Sequence, residues 1–242
     1  MIRLIPRGDD IGMCESANLG ALDACTQGVL CNVSMMATGL HLEHAAKLLA
    51  HVPGICIGMH VALNCEWQTP RWGNVLPVAQ VPSLAKPDGT QFETPNLLHE
   101  RGFSVVEAMA EVAAQLARLR AVGFTVSYLD EHMGVGWIRG LRPALAEFAK
   151  REGLIDADAI GVRDLPGDGP CSARLQSAGS GSWRVIGHPC LPGDDLQDFL
   201  LPGQRPGDTA RDRDAQRRQF TDPELLALVR SGRCTAMRFS DF

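Results

Sequence analysis

The chain has 242 residues, 45% of them hydrophobic and 21% charged, a balance that supports a sizeable buried core and excludes a disordered polymer. A formal charge of −5 leaves no broad basic face for a duplex, so no nucleic-acid partner is expected. Asp9 and Asp10 interrupt any early apolar segment and no run of about 18 uncharged apolar residues follows, which predicts neither signal peptide nor membrane span and a cytoplasmic location.

Short β-rich runs alternate with helical patterns along the chain. The strand candidates are Ile2–Ile5, Val29–Met35, Ile55–Val61, Thr125–Leu129, Ala159–Val162, Trp183–Ile186 and Thr235–Phe239. Apolar stripes at helical spacing lie between them, at Ser16–Thr26, Leu42–Ala50, Ser104–Val122, Arg142–Glu152 and Asp222–Arg230. Gly123 and Gly153 close two of these, and Asp222-Pro223 opens another. This alternation predicts an α/β fold with a mainly parallel sheet, open or closed into a barrel, in one domain spanning 1–242. Two excursions break the rhythm. Residues 64–101, with Trp67, Trp72 and the turn at Pro87-Asp88-Gly89, read as a structured loop over one end of the sheet, and 164–182, rich in Gly, Ser and Pro, as a mobile lid. Arg211–Arg218, interleaved with Asp212 and Asp214, reads as a solvated face. The eight cysteines form no C-x-x-C pair and read as buried, reduced side chains.

Chemistry-bearing residues fall at strand ends. Arg7-Gly8-Asp9-Asp10-Ile11-Gly12 follows the first strand, His60 closes the third, and Asp130-Glu131-His132-Met133-Gly134 follows the fourth. The C-terminal edge of such a sheet is where α/β enzymes gather active groups. One Asp and two His form a three-ligand set that leaves coordination positions open, as a catalytic metal needs. His188, in Gly187-His188-Pro189, shares that edge and is a candidate proton donor. Adjacent strand residues point to opposite faces, so Asp9 and Asp10 can share one site only if the strand has ended and the chain is turning. His41, His44 and His51 lack this placement and read as a solvated helix.

The pattern resembles the YdjC family of carbohydrate deacetylases, including its chitooligosaccharide and hopanoid-associated branches. The resemblance rests on Gly8-Asp9-Asp10-Ile11-Gly12 with Asn18, on Gly58-Met59-His60-Val61-Ala62-Leu63, on Leu129-Asp130-Glu131-His132, on Gly161-Val162-Arg163 and on His188-Pro189, taken in order. It implies an irregular (β/α) barrel of about seven parallel strands, like that of polysaccharide deacetylases. It further implies Asp10, His60 and His132 as ligands of a divalent metal, zinc or magnesium, Asp9 as general base and His188 as the acid that protonates the departing amine. The implied reaction removes acetyl from an N-acetylated sugar or oligosaccharide. A non-catalytic sugar-binding protein, or a metal-dependent hydrolase of another amide or a phosphoester, are the alternatives. Asn18, Glu66, Trp67 and Arg163 are candidates for substrate contact, against packing, salt bridging or hydrogen bonding behind the ligands. Gly134 and Gly136 stand where many relatives carry further histidines, and Cys190 where they carry glycine. The sequence leaves oligomeric state open, a homodimer being the commonest arrangement for a soluble enzyme.

Overall fold

The computed structural model describes residues 1–138 and 140–242. Strand β1 (Ile2–Ile11) is followed by α1 (Glu15–Thr26), β2 (Asn32–Met35), α2 (Leu42–Leu49) and β3 (Cys56–Val61). After the first excursion come α3 (Pro95–Arg101), α4 (Val105–Ala121), β4 (Val126–Glu131), α5 (Leu141–Glu152), β5 (Ile155–Asp156) and β6 (Arg163–Asp164). The chain ends with α6 (Cys171–Ala178), β7 (Gly181–Gly187), α7 (Asp208–Phe220), α8 (Pro223–Arg230) and β8 (Cys234–Ala236).

All the strand pairings are parallel, in the order β5-β4-β3-β2-β1-β7-β6, and the sheet curls into a half-barrel whose end strands β5 and β6 are not paired with each other. Strand β1 is its centre. Strand β7 pairs along Ile2–Gly8, while β8 takes Ile2–Leu4 and β2 takes Arg7–Ile11. Leu4, Val33, Met35, Met59 and Leu129 from the sheet, with Val112 and Leu116 of α4 and Leu145 and Phe148 of α5, belong to the main core cluster. In β3, Gly58 stands opposite Tyr128 of β4, and a Cβ at Gly58 would lie 2.1 Å from the Tyr128 ring. The missing side chain lets the aromatic ring cover the strand. No helix among the described residues is long and apolar enough to cross a membrane.

Several expectations are corrected. Ala159–Val162 is not a strand; the pairing segments are the two-residue β5 and β6 on either side of it. The last strand stops at Ala236, and Phe239–Asp241 is a 3₁₀ turn. The segment 164–182, read as a lid, contains α6, whose Leu175 is buried in the core. The first excursion is structured, as expected. Arg71 donates to the carbonyls of Trp67 and Gln91, Trp72 Nε1 donates to Asn64 O, and both tryptophans are buried. The Arg211–Arg218 segment is part of α7, with Arg213 and Asp214 buried.

Candidate functional site

Strand β1 does not end before its two carboxylates. It continues to Ile11, with a break in register against β2 between Gly8 and Ile11, and Asp10 adopts φ 62°. This irregularity, rather than a strand end, turns Asp9 and Asp10 toward the same space. A non-glycine residue in the left-handed region is strained and is held there by its surroundings. Asn18 supplies part of that support. Its side chain accepts from the Gly12 N–H (2.8 Å) and donates to His41 O (3.0 Å), which places it behind the loop.

Asp10 Oδ1 lies 3.4 Å from His60 Nε2 and 3.1 Å from His132 Nδ1, with all three residues buried. Donors bound to one zinc ion at ~2.0–2.1 Å lie roughly 2.9–3.4 Å apart for angles between octahedral and tetrahedral. Both distances from Asp10 fall in that range, and the donor atoms of Asp10, His60 and His132 all lie within 4.8 Å of one another, a set that could hold a divalent cation. Both histidines are backed on the other ring nitrogen by a carboxylate: His60 Nδ1 by Asp130 (2.7 Å) and His132 Nε2 by Glu66 (2.9 Å). This backing fixes ring orientation in metal sites. A second acidic set, Asp9, His60 and Asp130, is already bridged by a cation of the chain itself. Arg7 holds both oxygens of Asp9 (2.7 and 2.6 Å) and lies 3.0 Å from Asp130.

Four carboxylates (Asp9, Asp10, Asp130, Glu66) face two guanidiniums, Arg7 and Arg213, the latter donating to Asp10 Oδ2 at 2.8 Å. With neutral imidazoles the cluster carries two uncompensated negative charges, the complement of a dication. The same excess acts on the rings. Burial alone would lower His60, but Asp130 and Asp9 outweigh it and push its pKa up to about 10. Burial likewise opposes His132, and Glu66 and Asp10 push it up to about 9. For Asp9, burial is more than offset by Arg7, then by His60 and His188, so it stays below the usual carboxylate range. Asp10 lies well below it, burial being overridden by His188, Arg213 and His132.

His188 is the open member, its side chain 33% exposed, with Nε2 3.8 Å from Asp10 Oδ2. Its Nδ1 faces Gln216 Oε1 at 2.8 Å, the same oxygen that accepts from its backbone N–H. Nδ1 is thus the protonated nitrogen and Nε2 faces the site. Burial first, then Arg213, holds its pKa below that of an ordinary histidine.

The remaining candidates separate. Glu66 reaches the cluster and lines a cleft of about 530 Å³ with Gln68, Arg71, Lys86 and Glu93. Trp67 is buried beneath the Arg213 guanidinium, 5.5 Å from its ring centroid. Arg163 is exposed over Trp183, at a β7 position five residues before His188, or about 16 Å along the strand. Gly134 (φ 63°) has open space around it, whereas a Cβ at Gly136 would lie 2.3 Å from the Glu131 carboxylate that accepts from its N–H. Sequence reasoning missed Arg7, Arg213 and Gln216 as members of the site. The readable signal for the last two was their i, i+3 spacing, with Phe220 at i+7, on one face of a helix.

The family model described as YdjC-like protein matches residues 3–176, a span that ends before His188 and Arg213. A chitooligosaccharide deacetylase of Yersinia pestis is 30% identical over 184 residues, covering 73% of this chain and 68% of that protein. One from Escherichia fergusonii is 28% identical over 180 residues, covering 72% and 68%. A crystal structure from Enterococcus faecalis, described as that of a candidate cellobiose-phosphate cleavage protein, superposes with a TM-score of 0.81 over 99% of this chain and 98% of its own, at 17% identity. At that identity the likeness concerns the fold.

Proposed function

The chain belongs to the YdjC-like protein family, and on that premise we propose that it is a metal-dependent deacetylase that removes acetyl from an N-acetylated sugar or oligosaccharide. The observation that carries the reading is the buried Asp10, His60 and His132 set inside a cluster with two uncompensated negative charges. The relatives named for chitooligosaccharide deacetylation supply the substrate class.

Asp10, His60 and His132 would hold the ion, with Asp130 and Glu66 outside them. Bound there, a divalent ion supplies Lewis-acid polarisation of the amide carbonyl and acidifies water. Asp9 is the general base. Arg7 keeps it ionised while leaving each carboxylate oxygen a second lone pair, so it takes the proton of the water that attacks the acetyl carbon. His188 starts neutral, with Nε2 toward the site, because Gln216 occupies Nδ1. Its Nε2 takes up a proton from solvent, to which the side chain is 33% exposed, and gives it to the amine nitrogen as the C–N bond breaks, while the proton on Asp9 returns to solvent after turnover. Acetate and a free amino sugar leave. Burial first, then Arg213, hold the His188 pKa below that of an ordinary histidine, so the proton is readily surrendered. Trp67 and Trp72, buried in the loop, shape the wall rather than offer a face to sugar.

The test is the divalent-metal content of reconstituted wild-type protein against His132→Ala, followed by acetate release from N-acetylated sugars. We expect about one ion per chain in wild type and none in the variant, with turnover lost alongside. Wild-type protein that binds no divalent metal would falsify the mechanism, and phosphate release in place of acetate would reassign the substrate.

A further inference from the structure

We propose that Glu66 is a positioning residue: its carboxylate fixes the ring of His132 so that Nδ1 faces Asp10. The inference rests on the metal-dependent reading above. His132 approaches Asp10 through Nδ1 and places Nε2 2.9 Å from Glu66 Oε2. An imidazole that offers a lone pair at one nitrogen carries its proton on the other, and in a ring that is 3% exposed that N–H needs a protein acceptor. Glu66 is that acceptor. Without it the Nε2–H form loses its acceptor, and turning the ring over would put Cδ2, which cannot ligate, where Nδ1 stands against Asp10.

The two histidines are supported unequally. The outer partner of His60, Asp130, is fully buried and is itself held by Arg7 (3.0 Å) and by the Ser34 hydroxyl (2.6 Å). Its geometry is fixed by the sheet. Glu66 belongs to the loop after β3, lines the 530 Å³ cleft, and makes no other side-chain hydrogen bond or ion pair among the described residues. On its outer nitrogen the ring of His132 therefore depends on one hydrogen bond, from a residue that the cleft can reach. Glu66 does not need to touch the reacting atoms to matter, because its effect passes through His132.

The experiment uses zinc alone as the probe. Affinity is read by competition with a chromogenic chelator in wild type, Glu66→Gln and Glu66→Ala, with His60→Ala as the control that removes a direct ligand. Nitrogen-15 histidine spectra of the zinc-loaded proteins read the His132 tautomer, which a merely structural role would leave unchanged. Glu66→Ala is expected to weaken zinc binding about 10–100-fold and to lose the single Nε2–H form. Glu66→Gln, which keeps an acceptor oxygen without the charge, is expected to hold the tautomer and lose less affinity. Wild-type affinity in Glu66→Ala overturns the positioning role and leaves the metal centre standing. Absence of zinc binding by wild type overturns both. Should Glu66→Ala fail to fold, Glu66→Leu, which keeps the bulk and removes the acceptor, decides: wild-type zinc affinity with a retained Nε2–H form there overturns the proposal.

Discussion

Two protons stand in for the cation at the heart of the site. In the metal-free protein His60 and His132 are pushed up to about 10 and about 9, the charges of Asp130 and Asp9 on one and of Glu66 and Asp10 on the other outweighing burial. Both rings are therefore protonated at pH 7, and a divalent ion must displace them. We expect release of about two protons per ion, so apparent affinity climbs up to ~100-fold per pH unit below pH 9. Calorimetric titrations in two buffers of different ionisation enthalpy measure that number, and a value near zero would place the ion elsewhere. The sign for folding runs the other way. A raised histidine pKa stabilises fully below about 6.5, and that contribution fades as pH rises through 9 and then 10. Metal-free protein should thus melt progressively lower across that range. Asp10, His60 and His132 were readable because each sits at the end of an apolar run. Arg7 and Arg213 were not. A buried arginine looks like a surface one until the carboxylate it neutralises is known, and for Arg213 that carboxylate is 203 residues away.

At the scale of elements, strands β1 to β4 and helices α1, α2, α4, α5 and α8 follow from periodicity because each buries an apolar face. Helix α7 does not. Its buried residues are Thr209, Ala210, Arg213, Asp214 and Phe220, since it packs on the charged end of the sheet, and no hydrophobic stripe marks it. Strand β1 was read to Ile5 because Arg7, Asp9 and Asp10 end the apolar pattern, although their mutual neutralisation allows the strand to run on. Strands β5 and β6, two residues each, are too short to show a period. Helix α1 approaches the His188 loop more closely than any side chain permits. A Cβ on Gly20 would lie 2.5–2.7 Å from the backbone of Cys190. Gly20→Ala is therefore expected to cost about 1–3 kcal/mol by overpacking, measured by denaturant unfolding. It should also displace His188 and cut turnover while leaving metal content intact. Unchanged stability and turnover would mean that the loop yields freely.

For the whole molecule, the centre joins residues from β1, β3, β4 and the loop beyond β3, while Arg213 reaches it from α7. An ion that binds only this assembled state stabilises all of it. At 100 times its dissociation constant the gain is about 2.7 kcal/mol, or roughly 5–10 °C in melting temperature for a chain of this size. Differential scanning with and without a chelator reads it directly. A melting point indifferent to metal would show that the set does not hold one. The fold class was legible from the alternation of elements. The openness of the barrel was not, because it depends on which strands lack neighbours.

Strand β1 shares one edge between β2 and β8, so on that edge the hydrogen-bonding groups of Ile2–Leu4 find their partners at Cys234–Ala236, while β7 pairs the other edge. During synthesis β1 is completed on that edge only after β8 has been made. At roughly 5–20 residues per second, that half-edge waits tens of seconds for its partner, the backbone groups of Ile2–Leu4 meanwhile open to other pairing. Closure of that edge by β8 is accordingly a late, long-range step of folding.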